Sequence, residues 1–445
     1  MGNESKRIRK AGRQTMNLAD MLSYADIHQL NRIADHYACD CNTNSKRELI
    51  QSILNTLNRK DVFERYVETL SVEDIRFLNS LVFDPRDAYS LEELLARAQI
   101  SRYETAKPAA IGAPRTEAGS EILSTVKVDL RGSEPTKSAK KETKKRESKK
   151  AKAPAEPEPP PWSPRQMIVK FAHQGWLFNG YSHHTKYLYQ VPADLKRRFG
   201  DSLARAFQKQ LLVIDEPTAY RDEQRMLTED IGKFLSFLEK YEVELNGEGT
   251  MYKRSQQMIL ETFNVKEEPV GKGGWRFGYG RKIKDYPNRF SLIYDYCFYN
   301  GYIDEGEGRL TLSDKGRSAL LEGRTPDPGA VYQFWLKLYK NPIHNVQTLV
   351  HWIERLSGRW VALETLSRVL TPLIKPYYYD APESILTNRI VMMMMHQGLL
   401  RIGQHPEAGT VVEMTKLGSS IVRGVYVPEE EKIALPADSA PNGTV

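Results

Sequence analysis

The sequence predicts an α+β chain, mainly helical with short β-hairpins, and three observations predict it. Apolar residues recur at helical spacing behind capping residues through the first hundred positions. A phrase of helix, glycine, two short strands and helix stands at "FYNGYIDEGEGRLTLSDKGRSALL" (298–321) and returns at "MHQGLLRIGQHPEAGTVVEMTKLGSSIV" (395–422). Between these regions runs a stretch of lysine, glutamate, serine and proline with no apolar period.

Residues 1–17 read as a basic flexible tail, and 18–103 as a small helical domain. "LSYADIHQLNRIADHY" sets Leu22, Ile27, Leu30, Ile33, Ala34 and Tyr37 on one stripe, with Ser23 and Asp26 spaced as a capping box. In "NSKRELIQSILNTL" Ser45 caps, Glu48 reaches back, and Leu49, Ile50, Ile53, Leu54 and Leu57 form the buried face. Ser71 with Asp74 and Ser90 with Glu93 open two further helices.

Residues 104–164 read as a disordered linker. Few aromatic or β-branched side chains leave too little apolar burial to offset an ordering cost of about 1–2 kcal/mol per residue. Residues 136–152 hold nine Lys or Arg against two Glu, so Lys140, Lys141, Lys144, Lys145, Arg146, Lys149 and Lys150 are candidate phosphate contacts. The proline block "APAEPEPPPWSP" is extended and semi-rigid, and "EILSTVKVDL" (121–130) is an apolar piece suited to ordering on a partner.

Residues 165–427 carry the repeated phrase, divided at 165–290, 291–330 and 331–427, with a tail at 428–445. "RFSLIYDYCFYNGYI" is a helix stopped at Asn300-Gly301; "GRLTL" is a strand; Ser313 caps the helix that follows. The later copy runs "ILTNRIVMMMMHQGLLRIG", a turn at "HPEAG", the strand "TVVEM" and a helix opened by Thr415. A degenerate copy lies at 167–199 and lacks the closing glycine. "SGRWVALETLSRVL" (357–370) supplies the earlier turn and helices of the last unit, and 225–263 places a turn at "NGEG" between two helices, the first on Leu227, Ile231, Phe234 and Leu238. Helix, glycine stop, hairpin and capped helix is the recognition-helix end of a winged helix, so the expected architecture is a set of tandem winged-helix modules.

Composition bounds the rest. Of 445 residues 40% are apolar and 27% charged, with no apolar run near the roughly 20 residues of a membrane span. The charged start "MGNESKRIRKAGR" lacks an apolar signal region, and Cys39, Cys41 and Cys297 make neither a disulfide framework nor a zinc pair. The expectation is a cytoplasmic protein, nucleoid-associated when on DNA. The excess charge of +7 is more than supplied by residues 1–13 and 136–152, which leaves the folded parts slightly acidic.

"LTEDIGKFLSFLEKYEVELNGEGTMYKRSQQMIL", "GWLFNGYSHHTKYLYQVPADLKRRF" and "GYIDEGEGRLTLSDKG" together resemble the helicase-associated winged-helix region at the amino-terminal, non-motor side of XPB-type helicases. The resemblance covers roughly residues 165–425. The first domain, through "LNRIADHYACDCNTNSKRELIQSIL", is similar to the nucleic-acid-binding SAP and Rho amino-terminal modules. What the resemblance implies is work on DNA, in repair or transcription, beside a helicase or polymerase and without a motor of its own.

Catalytic patterns are missing. "LLVIDEP" (211–217) looks like a Walker B strand, but no glycine loop ending in Lys-Ser/Thr accompanies it, so it reads as a buried strand and a turn. The histidines show no zinc spacing, and His183-His184 reads as a solvated loop pair. No enzyme, cofactor, metal or small-molecule substrate is expected. Four methionines at 392–395 and Tyr377, Tyr378 and Tyr379 read as core before subunit contact or interface.

The sharpest binding candidate is "GKGGWRFGYGRKIKDYPNRF" (271–290), where Trp275, Phe277 and Tyr279 alternate with Lys272 and Arg276 and precede Arg281, Lys282, Lys284 and Arg289. Aromatic faces stack bases while cations meet phosphate, although period-two aromatics equally line a core strand. Lys315 and Arg317 on a recognition helix and Arg309 on its wing complete the set. Two functions follow: a non-enzymatic accessory protein on duplex or fork DNA, or a scaffold whose winged helices hold a protein.

Overall fold

The computed structural model describes residues 16–103, 162–181, 185–271, 276, 278–428 and 431–434. The linker lysines and Arg146, with Lys272, Trp275, Phe277, His183 and His184, lie outside the described residues. Among the described residues the chain is mixed α+β, mostly helix with three small antiparallel sheets.

Helices α1 (Leu18–Tyr24), α2 (Ile27–His36), α3 (Lys46–Asn58) and α4 (Lys60–Glu68) come first. The expected single stripe through 22–37 is two helices. Asp26, read as the reaching-back partner of Ser23, is itself a cap: its side chain accepts from the Gln29 N–H at 2.7 Å, and the chain is extended at Ala25. Ser45, Ser71 and Ser90 each accept from the backbone N–H three residues on.

Beyond α4 one order of elements recurs three times: helix, strand, helix, helix, strand, strand. The first unit is α5 (Val72–Val82), β1 (Ala88–Tyr89), α6 (Leu91–Ser101), α7 (Pro164–His173), β2 (Phe178–Asn179) and β3 (Tyr189–Gln190). After α8 (Ala193–Gln208) and β4 (Ala219–Arg221) comes the second unit. It comprises α9 (Met226–Lys240), β5 (Val243–Glu244), α10 (Lys253–Thr262), α11 (Asn288–Tyr299), β6 (Ile303–Gly306) and β7 (Arg309–Leu312). Helices α12 (Asp314–Leu321) and α13 (Pro328–Tyr339) lead to the third. This holds α14 (Val346–Leu356), β8 (Val361–Ala362), α15 (Leu363–Leu370), a long helix α16, β9 (Leu400–His405) and β10 (Gly409–Met414). Helix α16 runs as Pro382–Ser384, a π-helical stretch Ile385–Val391, and Met392–His396; α17 (Lys416–Gly424) is the last helix among the described residues.

In each unit the last strand sits between the other two: β1-β3-β2, β5-β7-β6 and, with β4 added at one edge, β4-β9-β10-β8. The first sheet joins Ala88–Tyr89 to Tyr189–Gln190, so the segment set apart by composition at 104–164 is inserted within one unit, between α6 and α7. Those two helices pack directly together.

"LLVIDEP" is not a buried strand. Only Val213 bridges, to Val361, and both Leu212 and Val213 are exposed. The segment instead runs along the β8 edge, where Ile214 N–H donates to Trp360 O at 3.0 Å and Ala362 N–H to Leu212 O at 2.9 Å; β4 then covers the opposite edge. Both edges of the third sheet are thereby protected. Units one and three are tied by the buried Trp352 indole, which donates to Asn79 Oδ1 at 3.0 Å, and by Arg76, which donates to Pro372 O at 2.8 Å.

Candidate nucleic-acid interface

In the expected winged-helix arrangement the third helix of each unit is the one that would enter a groove, so its exposure bears on that expectation. Helix α11 is buried on every side: Arg289 through Phe298 are all removed from solvent. Helix α16 is nearly so, with only Glu383 and Asn388 exposed. The two pack against each other, and Arg389 on α16 donates to Asn288 Oδ1 at 3.1 Å. The methionines Met393, Met394 and Met395 fill this contact region as core.

Helix α7 differs. Ser163 and Gln166 form a reciprocal cap and Pro164 occupies the first turn, which fixes where the helix starts. Met167, Ile168 and Phe171 face inward, and Phe171 stacks on Phe77 at 5.2 Å. Arg165, Gln166, Val169 and Lys170 face water. Lys170 is held by Asp74 at 2.5 Å, while Arg32 meets His173 at 3.3 Å at the helix end.

From α7 the chain passes through buried Trp176, Leu177 and Phe178 into a hairpin. Gly180 N–H donates to Leu188 O at 2.9 Å and closes its base. Tyr181 and Tyr187 stand out from it exposed, with the Lys186 ammonium 4.8 Å from the Tyr187 ring centre. A cluster of charge anchors the sheet behind: Asp84 binds Arg86 and Arg97 at 2.8 Å each. Beside it Lys196 donates to Tyr89 Oη, and burial pushes that lysine down to about 8.

The residues singled out at 271–290 are placed differently from a stacking strand. Residues 276 and 278–282 form no strand. Tyr279 is buried, its ring centre 5.1 Å from Tyr339 and 5.6 Å from Tyr377, with the Arg389 guanidinium 4.6 Å away. A ring enclosed on those sides has no face for a base. Arg276 is paired to Asn288. Arg281 holds Glu305 through two bonds of 2.9 Å and lies over Phe298, and Lys282 is buried against Gly249 O. Burial opposes ionisation of Glu305, but the Arg281 bonds outweigh it and hold the carboxyl below its usual range. Lys284, Arg309, Lys315 and Arg317 reach the surface; Lys284 lies 3.8 Å from Glu248, Arg309 3.8 Å from Glu242 and Arg317 3.2 Å from Glu239. Lys315 donates to Asn300 O at 2.7 Å.

Sequence reasoning passed over Arg165, Lys170, Tyr181 and Lys186. The amphipathic pattern of "SPRQMIVKFAH" and the tyrosines of "GYSHHTKYLYQV" were the available signals. Tyr378 and Tyr379, expected in the core, are exposed at 73% and 78%, because the loop turns outward at Tyr378 with a φ of 50°.

Among the described residues no three His, Cys, Asp or Glu side chains gather as a metal site would, and no helix is long and apolar enough to cross a membrane. The chain matches no family model, no curated protein and no solved structure.

Proposed function

We propose that the three units are winged helices and that the protein is a non-enzymatic DNA-binding accessory factor, working beside a helicase or polymerase. The observation that carries this reading is the asymmetry among the third helices. Two are spent on the core, whereas α7 keeps an open face with Arg165, beside the Lys170–Asp74 pair, and leads into an exposed hairpin. The lysine-rich segment precedes the same helix in the sequence, separated from it by the proline block. Phosphate contact by such a segment is independent of sequence and strongly dependent on salt.

The test is fluorescence anisotropy on duplex DNA across a salt series, with the full chain and with residues 136–152 deleted. Log affinity should fall with log salt at about −0.9 per phosphate contacted, and the deletion should flatten that slope. An unchanged slope removes the segment from the mechanism; no salt-sensitive binding at all overturns the reading.

A second reading, a protein-binding scaffold, is favoured by the exposed Tyr378 and Tyr379, since outward aromatics serve as interface anchors. Partners recovered from lysate that survive nuclease treatment, and are lost on Tyr379→Ala, would support it.

A further inference from the structure

Tyr24 at the end of α1 and Tyr181 on the first-unit hairpin stack with ring centres 4.4 Å apart and planes 15° from parallel. Both are exposed, Tyr24 at 60% and Tyr181 at 53%, so each gives one face to the other and keeps much of the rest in water. The two come from positions far apart in the chain. They meet because α1 is pinned to α8: Leu18 N–H donates to Asp194 Oδ1 at 2.8 Å, and Ala193 N–H donates to Met16 O at 3.0 Å. An aromatic pair left in water at a hairpin keeps π-surface available, and tyrosines with one apolar face and one wet end are enriched at interfaces.

We propose that this pair is a stacking platform for an unpaired base, and that the protein therefore prefers DNA in which duplex gives way to single strand. The inference rests on the DNA reading above and names the feature that the first unit recognises. Three observations favour a base over a peptide as the occupant. The pair is already parallel, so a base continues the stack without moving either ring. Cations stand on the elements next to it, Lys186 over Tyr187 on the same hairpin and Arg32 against His173 on the helix that feeds it, while Asp20 and Asp26, the acids near Tyr24 in sequence, are engaged by the Asn17 and Gln29 N–H groups. The hairpin is also the direct continuation of α7, the one third helix of the three units with an open face, so a duplex held there delivers its end to the platform. Stacking of this kind tolerates any base, because every base has a π-face.

The experiment uses the full chain with two DNAs, a blunt duplex and the same duplex bearing a short single-stranded arm, with 2-aminopurine as the first unpaired base. Wild-type protein should bind the armed DNA more tightly and quench the 2-aminopurine. Tyr181→Ala should weaken binding to the armed DNA roughly 5- to 150-fold, the range that about 1–3 kcal/mol of base stacking gives, and abolish the quench. Its affinity for blunt duplex should fall by much less than its affinity for the armed DNA. Tyr181→Phe, which keeps the ring, should behave as wild type. If Tyr181→Ala lowers the melting temperature and weakens both DNAs equally, the stack is only a clamp between α1 and the hairpin, and the inference is overturned. If wild type binds duplex but shows neither preference nor quench, the inference falls and the DNA reading stands. If wild type binds neither DNA, both fall; a Tyr181-dependent protein partner would then assign the platform to a peptide.

Discussion

Arg289 and Asp230, both fully removed from solvent, pair at 2.6 Å between the second-unit helices α11 and α9. Glu223 lies 3.4 Å from the same guanidinium and accepts from the His396 ring at 3.0 Å, so one buried arginine joins the second unit to α16 of the third. Burial opposes ionisation of Glu223, yet His396 and Arg289 hold its carboxyl below its ordinary value. Removing one member leaves an unpaired charge in the core, a loss of about 3–5 kcal/mol. Arg289→Met should therefore lower stability sharply by chemical denaturation, and Asp230→Asn should do the same. A variant that unfolds with the wild-type midpoint would show that the network contributes nothing.

Glycines at two corresponding stops separate backbone strain from close packing. Gly301 and Gly398 both follow the third helix of their units, at φ of 66° and 71°. A Cβ at Gly301 meets nothing within 4 Å, whereas one at Gly398 would lie 1.9 Å from the Gln224 carbonyl oxygen. Gly301→Ala should cost about 1–2 kcal/mol, the left-handed penalty alone. Gly398→Ala should cost at least about 1–3 kcal/mol more, because the strand connection through Gln224 must move. Equal losses in thermal unfolding would mean that this connection yields freely.

Asp295 gives stability a pH dependence of unusual sign. Burial pushes its carboxyl up to about 7, against 3.8 in water; the Arg281 N–H at 2.9 Å favours the charged form but does not outweigh burial. The folded state thus binds this proton more tightly than the unfolded chain. The group's contribution is full below about pH 4 and is lost as pH rises towards 7, with each unit of separation equivalent to about 1.4 kcal/mol. Glu223 and Glu305 act the opposite way, whereas Glu267, which burial also pushes up, acts in the same direction as Asp295. Asp295→Asn isolates the effect: the difference in unfolding free energy between variant and wild type should grow in the variant's favour from pH 4 to pH 7. A constant difference across that range would refute the shift.

What was legible in the sequence is what is local. Ser45, Ser71, Ser90, Ser313 and Thr415 cap as their spacing indicates, because the bond closes within three residues and needs no distant partner. The hairpin phrase at 298–321 and at 395–422 holds for the same reason. What failed is what depends on the rest of the fold. Strand β1 is two residues long and pairs with a strand a hundred positions away, so nothing near Ala88 announced that the 104–164 segment interrupts a unit. The tyrosine and cations at 279–282 have the composition of a binding stripe, but Tyr339, Tyr377 and Glu305 arrive from elsewhere to enclose or neutralise them. Leu212 and Val213 look like a core strand and are exposed, since their backbone, and not their side chains, engages the sheet edge.

That contrast yields a last prediction, in which basic residues of similar sequence appearance separate by role. Arg281 is spent on Glu305 and Phe298, so Arg281→Gln should lower the melting temperature while leaving DNA affinity and its salt dependence unchanged. Arg165 stands on the open face of α7, so Arg165→Gln should leave the melting temperature alone. It should weaken binding to every duplex alike and reduce the salt slope by about 1, as follows when one phosphate is no longer neutralised by the protein. Paired thermal melts and salt titrations on the two variants decide between the roles. Were Arg281→Gln to reduce the salt slope and Arg165→Gln to leave it intact, the interface would lie on the second unit and not on the first.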